Sequence, residues 1–294
     1  MDSLEECGIH YLTASSVQQW REQPAVWVME KLLGIRENRA TAVAKTIAVK
    51  DGLRHALYAE DAYIGEDIAL DVYRRKLLEW RIDPTSEAAR SDEDIVLPLY
   101  DVHVKEIQRL GLLKKPLATG IASSLLVDGL GTALLAVTDF VFDDAQLRIK
   151  CCGRLPSSIQ PRDMAALALD ARVRGQVPMI VYATPKKLAT YVPNGIELDA
   201  ALDALIADAR SLETFVRTAE TPMHALAMLP VNTGHYLWKP ELQVAASNML
   251  NQWRTQNGAL CTEGRGLPEG AARISHLDLL PDDRSGDAES DLEW

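Results

Sequence analysis

Apolar residues recur at helical spacing through the first third of the chain and at strand spacing through its middle. From Tyr11 to Leu33 the positions Val17, Trp20, Val26, Trp27, Met29 and Leu33 outline a helical stripe. Thr13 or Ser15 can cap it, and Pro24 interrupts it, so two short helices meeting at a bend are expected. Thr41 to Trp80 is helical in pattern, with Ala, Leu, Tyr and charges at the right intervals. Pro84 to Asp94 is polar and reads as a connection. Ile95 to Leu113 returns to helical spacing through Tyr100, Val104, Ile107 and Leu110, and Gly111 and Pro116 mark its end.

The period then shortens. Ile121 to Val127, Ala133 to Val137 and Leu147 to Lys150 read as strands, separated by turns at Asp128-Gly129 and Asp143-Asp144. Thr138 to Phe142 and Leu147 to Cys152 flank the second turn as a hairpin. Asp163 to Val173 is a predicted helix, Val177 to Ala183 an apolar strand, and Lys187 to Val192 an edge strand. Leu198 to Arg217 is helical, with Leu202, Leu205, Ile206, Ala209 and Leu212 on one stripe. Ala245 to Trp253 is the last predicted helix. No internal repeat is visible. The order predicts an α/β fold: a mixed sheet flanked by helices, with a helical N-terminal wing. One domain over residues 1–260 is expected, with the wing at 11–113, the sheet core at 117–195 and C-terminal helices at 196–256. Residues 261–294 are expected to form a poorly ordered acidic tail.

Composition narrows the class. The 294 residues are 47% hydrophobic and 25% charged, ordinary for a globular protein with a real core. No apolar run reaches the length of a membrane span. The start, Met1 to Glu6, is acidic and lacks the basic and apolar regions of a signal peptide, so a cytoplasmic location is expected. Cys7, Cys151, Cys152 and Cys261 show no CxxC spacing, which indicates reduced thiols rather than a zinc site or disulfide framework. The net charge of −11 is awkward for a DNA-binding protein, because non-specific DNA affinity comes mainly from Lys and Arg at phosphates. Much of the acid lies at the end, where Asp282, Asp283, Asp287, Glu289, Asp291 and Glu293 face only Arg284.

The candidate chemistry sits on the central hairpin. Asp139 ends one strand approach, Lys150 sits late on the next, and a helix follows from Asp163. Upstream stand Leu12-Thr13-Ala14-Ser15-Ser16 with Trp20, Pro24 and Trp27, then Lys50-Asp51-Gly52-Leu53-Arg54-His55. Downstream stand Leu155-Pro156-Ser157 and Tyr182-Ala183-Thr184-Pro185-Lys186-Lys187. In this order the segments resemble the PD-(D/E)XK nucleases, in the branch of RecB-type phage and bacterial exonucleases. The resemblance covers about Tyr11 to Trp253. It implies a PD-(D/E)XK-type sheet, a metal-binding His at His55, a first metal carboxylate at Asp139, and a Lys at Lys150 that orients the attacking water. It also implies Mg²⁺ or Mn²⁺ as cofactor of an active enzyme, and DNA contacts at Ser15, Ser16, Lys186 and Lys187. Hard cations of this kind want carboxylates, with at most one imidazole.

Three departures separate this chain from that pattern. Arg148 stands two residues before Lys150, where the family has Asp or Glu, and a guanidinium donates only and repels a cation. Cys151-Cys152 replaces a pair of Thr. The following helix usually carries Gln and Tyr, where this chain has Ala166 and Asp170. The expectation is therefore a DNA-processing protein with a degenerate metal site and no cofactor, acting by binding DNA or a partner protein, and able to oligomerise. Arg148 is expected to pair with Asp139 and fill the metal's place. One alternative is an active exonuclease in which Asp163 or Asp170 supplies the lost carboxylate from the helix. Another is an assembly protein that does not bind nucleic acid. Trp20 and Trp27 are expected in the core, and Arg74-Arg75-Lys76 and Lys114-Lys115 as solvated charges. His10, His103, His224, His235 and His276 have no partner spacing and receive no role.

Overall fold

The structure is a computed structural model and describes residues 1, 3–35, 40–231, 234–235 and 237–261. The expected acidic tail lies outside the described residues. A three-residue strand, β1 (Tyr11–Thr13), leads into α1 (Ala14–Glu22), α2 (Pro24–Trp27) and a π-helical turn (Val28–Leu32). The wing is α3 (Thr41–Ala59), α4 (Ile64–Glu79) and α5 (Glu87–Arg109). Then come β2 (Ala118–Leu125), β3 (Ala133–Val141), β4 (Ala145–Cys151), α6 (Pro161–Arg174), β5 (Val177–Ala183) and β6 (Leu188–Tyr191). The last elements are α7 (Gly195–Thr218), α8 (Pro222–Ala227) and α9 (Pro240–Cys261). No described helix is long and apolar enough to cross a membrane.

Local chemistry explains where the elements differ from the expectation. Thr13 is the cap of α1, its hydroxyl accepting from the Ser16 amide, so the chain before it is free to pair as β1. The stretch from Thr41 to Trp80 is two helices, because Glu60 turns left-handed at φ 55° and the Asp61 amide bonds back to Ala56. α5 starts at Glu87, inside the span expected to be a connection. Ser86 caps it by accepting from the Ala89 amide, and the polar residues that suggested a loop are its exposed side. α3 and α4 pack closely because Gly52 faces Gly65. A Cβ on Gly52 would lie 2.6 Å from the Gly65 carbonyl oxygen.

The sheet has six strands, in the order β1-β3-β4-β5-β6, with β2 also on β3. β2 runs antiparallel along one side of β3. The other side of β3 is shared. Parallel β1 pairs Tyr11–Thr13 with Ala133–Leu135, and antiparallel β4 pairs only at Phe140–Leu147 and Val141–Gln146. Between Leu135 and Phe140 that edge of β3 has no strand partner. The β2–β3 register also omits the pair Gly120–Asp139, where Gly120 takes φ 60°. The pleat alternation breaks at the same point: Thr138 turns toward α6, while Asp139 and Phe140 both turn toward the wing.

Two large apolar cores, with a small third cluster at Leu167, Ile180 and Tyr182, hold the sheet between helices. On one face Leu12, Leu134 and Ala136 pack with α1, α2, α6 and α7. Trp20 and Trp27 meet edge to face there at 5.9 Å, in the core as expected. On the other face Phe140, Leu147, Ile149, Cys151 and Val181 pack against α3, α4 and α5. Each large side chain so buried contributes about 1.5–3 kcal/mol. Cys151 belongs wholly to this second core, and burial pushes its thiol up to about 12.

Candidate functional site

The gap between β1 and β4 on the edge of β3 gathers the charged groups. β4 alternates, so Gln146, Arg148 and Lys150 point to the α6 side while Leu147, Ile149 and Cys151 enter the wing core. Three ion pairs form around this gap. Lys50, from α3, donates to Asp139 Oδ1 at 2.6 Å, and the Ile149 amide donates to Asp139 Oδ2 at 2.9 Å. The Asp139 side chain thus takes an amide of β4 just beyond the last ladder pair. Arg148 grips Asp170 with two nitrogens, at 2.5 and 3.0 Å, and Thr138 donates to the same carboxylate at 2.9 Å. Lys150 lies 2.8 Å from Asp163 Oδ1, and the Tyr182 hydroxyl donates to Asp163 Oδ2 at 2.7 Å.

Burial separates these pairs. Asp170 is fully buried and Arg148 nearly so. Burial works against the Arg148 charge, but its hydrogen bonds to Asp170 and the nearby Asp139 and Asp163 hold its pKa above the ordinary guanidinium value. Burial, with the Asp163 carboxylate beside it, raises Tyr182 so far that the hydroxyl remains a donor. Behind the Lys50–Asp139 pair lies His103, on α5 and fully buried. Its Nδ1–H donates to the Leu99 carbonyl at 2.8 Å, and Nε2 is buried with no partner of good geometry among the described residues. Burial pushes its pKa down to about 4, so the ring is neutral at pH 7.

A cavity of about 250 Å³ opens at the gap, lined by Thr13, Ser15, Leu135, Val137, Arg148, Lys150, Arg162, Asp163 and Ala166 among others. The structure thus brings Ser15, Arg148, Lys150 and Ala166 to one cavity. Asp139 lies beside it, turned to Lys50. The expected pairing of Arg148 with Asp139 is corrected: α6 presents Asp170 directly to the guanidinium, and its two oxygens match the fork. His55 does not join the group. It is exposed on α3, and five residues (500° of helix) separate it from Lys50, which faces Asp139. Ser16 accepts from the Trp27 indole at 2.9 Å, so its hydroxyl serves the core. Lys186 and Lys187 are exposed at the β5–β6 turn, away from the cavity lining. Sequence reasoning missed Lys50 as the partner of Asp139. It also missed His103, whose place on the buried stripe Val96, Leu99, Tyr100 and Ile107 was the available signal.

The described residues do not fit a hard divalent cation. No cluster of three His, Cys, Asp or Glu side chains converges among them. Each of Asp139, Asp163 and Asp170 already faces a cation, and both oxygens of each accept a hydrogen bond or an ion pair.

No family model and no curated protein matches the chain. Among solved structures, a candidate exonuclease from Eubacterium rectale matches with a TM-score of 0.50 at 12% identity, over 71% of this chain and 82% of that one. The fold is nuclease-like. A second structure, of SSO0001, has 14% identity over 64% of this chain and 85% of that one, with a TM-score of 0.27. At that score it carries no argument.

Proposed function

We propose that this is a DNA-processing protein of the nuclease-like fold that holds DNA without hydrolysing it through a metal. The observation that carries this reading is the set of three ion pairs at the gap, with Arg148 on Asp170 where a metal carboxylate would be needed. A bound metal would have to displace Lys50 or Lys150 and stand near Arg148, and like charges at short range in a partly buried site are costly. Phosphates suit the cavity better, since Arg148, Lys150 and Arg162 line it beside the hydroxyls of Thr13 and Ser15. The test is a paired measurement with the full chain: DNA binding at moderate salt, and cleavage with Mg²⁺ or Mn²⁺. Binding without cleavage is expected. Robust cleavage that disappears in Asp139→Ala and in Lys150→Ala would overturn the reading.

A second reading keeps one specific observation in its favour. Asp163 reaches Lys150 from α6, so a carboxylate and a lysine line one cavity together. An active exonuclease using Asp163 would lose its cleavage in Asp163→Asn.

A further inference from the structure

One edge of the sheet is left open. β2 pairs with β3 on one side, and no strand among the described residues lies along its other side. All eight of its residues stay at least partly exposed. From Pro116 to Val127 the chain carries no charge, and β2 itself holds neither Lys nor Pro. An edge strand of this length normally carries such residues, or is covered, to keep other strands away. Exposed leucines flank its two ends: Leu117 is 64% and Leu126 84% exposed. Just outside them stand Lys115 and Asp128, both exposed.

The edge is complementary to itself. Ile121 shares the α6 side with its register partner Thr138, so Ala122, Ser124 and Leu126 take the opposite side. The break of the pleat at Gly120 turns Thr119, the partner of Phe140, to that same opposite side, and Leu117 with it. We propose that β2 binds a second copy of this chain, edge to edge and antiparallel, about a twofold axis at Ala122. Such an axis stands perpendicular to the sheet and keeps each face on its own side, so side chains that meet must share a face. Centred on Ala122, they do. Ala122 meets Ala122 of the second copy, and Gly120 and Thr119 together meet its Ser124 as a bulge. Leu117 then meets Leu126 of the second copy, and Lys115 comes level with its Asp128. The leucines that a lone copy leaves in water thus become cross-strand pairs, with opposite charges beyond them. A foreign strand would bring main-chain hydrogen bonds without this pattern. The pairing joins two six-stranded sheets into one. At about 4.8 Å per strand, the two gaps beside β3 come to lie about 24 Å apart across that sheet.

The experiment is sedimentation velocity on the full chain over a concentration series. The wild type should pass from monomer to dimer as concentration rises. Added salt should favour the dimer, because each copy carries a net charge of −11. Leu117→Glu with Leu126→Glu sets like charges opposite each other at both ends and should weaken the dimer by about tenfold or more. Leu117→Lys with Leu126→Glu should restore it. Both leucines are exposed, so each double variant should keep the wild-type urea midpoint in dilute solution, where the chain is monomeric. A second measurement needs no charge. Ala122→Cys should form an intermolecular disulfide on mild oxidation, because opposed Cα atoms of an antiparallel pair lie about 4.5–5.5 Å apart, within disulfide reach. Val244→Cys, exposed on α9, should not. A wild type that stays monomeric at every concentration would overturn the proposal. So would a dimer indifferent to the Glu–Glu variant, a Lys–Glu variant no tighter than Glu–Glu, or Ala122→Cys cross-linking no faster than Val244→Cys.

Discussion

Arg148–Asp170 and Lys50–Asp139 lie on opposite faces of one sheet and are built for different purposes. The first is a two-pronged pair with a fully buried carboxylate and a third bond from Thr138. It ties β3, β4 and α6 together, with Asp170 shut off from water and Arg148 reaching only the cavity wall. The second joins an ammonium side chain that is 31% exposed, on a flexible stem, to a carboxylate that a main-chain amide also holds. Lys50 can withdraw and leave Asp139 in place. The contrast teaches that one pair clamps the fold while the other is available for exchange with a ligand.

The largest effect expected follows from breaking the clamp. Asp170→Ala leaves Arg148 buried without its partner and should cost about 3–5 kcal/mol, read as a fall in the urea midpoint. A loss below about 1 kcal/mol would erase the contrast between the pairs. The next effect belongs to the wing side. His103 is neutral in the fold with its pKa near 4, against about 6.5 in an unfolded chain. The unfolded state therefore takes up a proton first as pH falls. Stability should be complete above pH 6.5, decline between 6.5 and 4, and lose about 3 kcal/mol by the end. In His103→Gln that part of the decline should vanish from pH-dependent urea curves. Lys50→Met should cost about 1 kcal/mol or less, because its pair is partly open to solvent. At the small end, Arg75→Ala removes only exposed contacts to Asp71 and Glu79, and the urea midpoint should not move measurably.

Much of the central sheet was legible in the pattern of residues. The hairpin turn at Asp143-Asp144 and the apolar run Val177–Ala183 fall where alternation and turn chemistry place them. The start of α5 was hidden because its first turns expose polar residues, which mimic a loop until Ala89 and Val96 are known to be buried. β1 was hidden because three residues carry no period, and their pairing lies with Ala133–Leu135, far along the chain. At the site, an ion pair of Arg148 with Asp139 was expected, and the partner is Asp170. Which Asp meets Arg148 depends on how α6 is rotated against β4, a tertiary fact with no local signature. The same holds for Lys50, whose reach to Asp139 depends on the docking of the wing.

The pairing of Tyr11 with Ala133, 122 positions further on, also has a consequence during synthesis. β1 leaves the ribosome before the strand it needs exists. At about 5–20 residues per second, the wait lasts from several seconds to roughly half a minute. During that interval the wing helices α3, α4 and α5, whose mutual contacts are local, can close on themselves. The N-terminal segment, with Leu12 and both tryptophans exposed, must stay unpaired until β3 emerges. In the cell, a segment made well before its partner strand is among the last to be seated, and it is the part that carries the rim of the cavity.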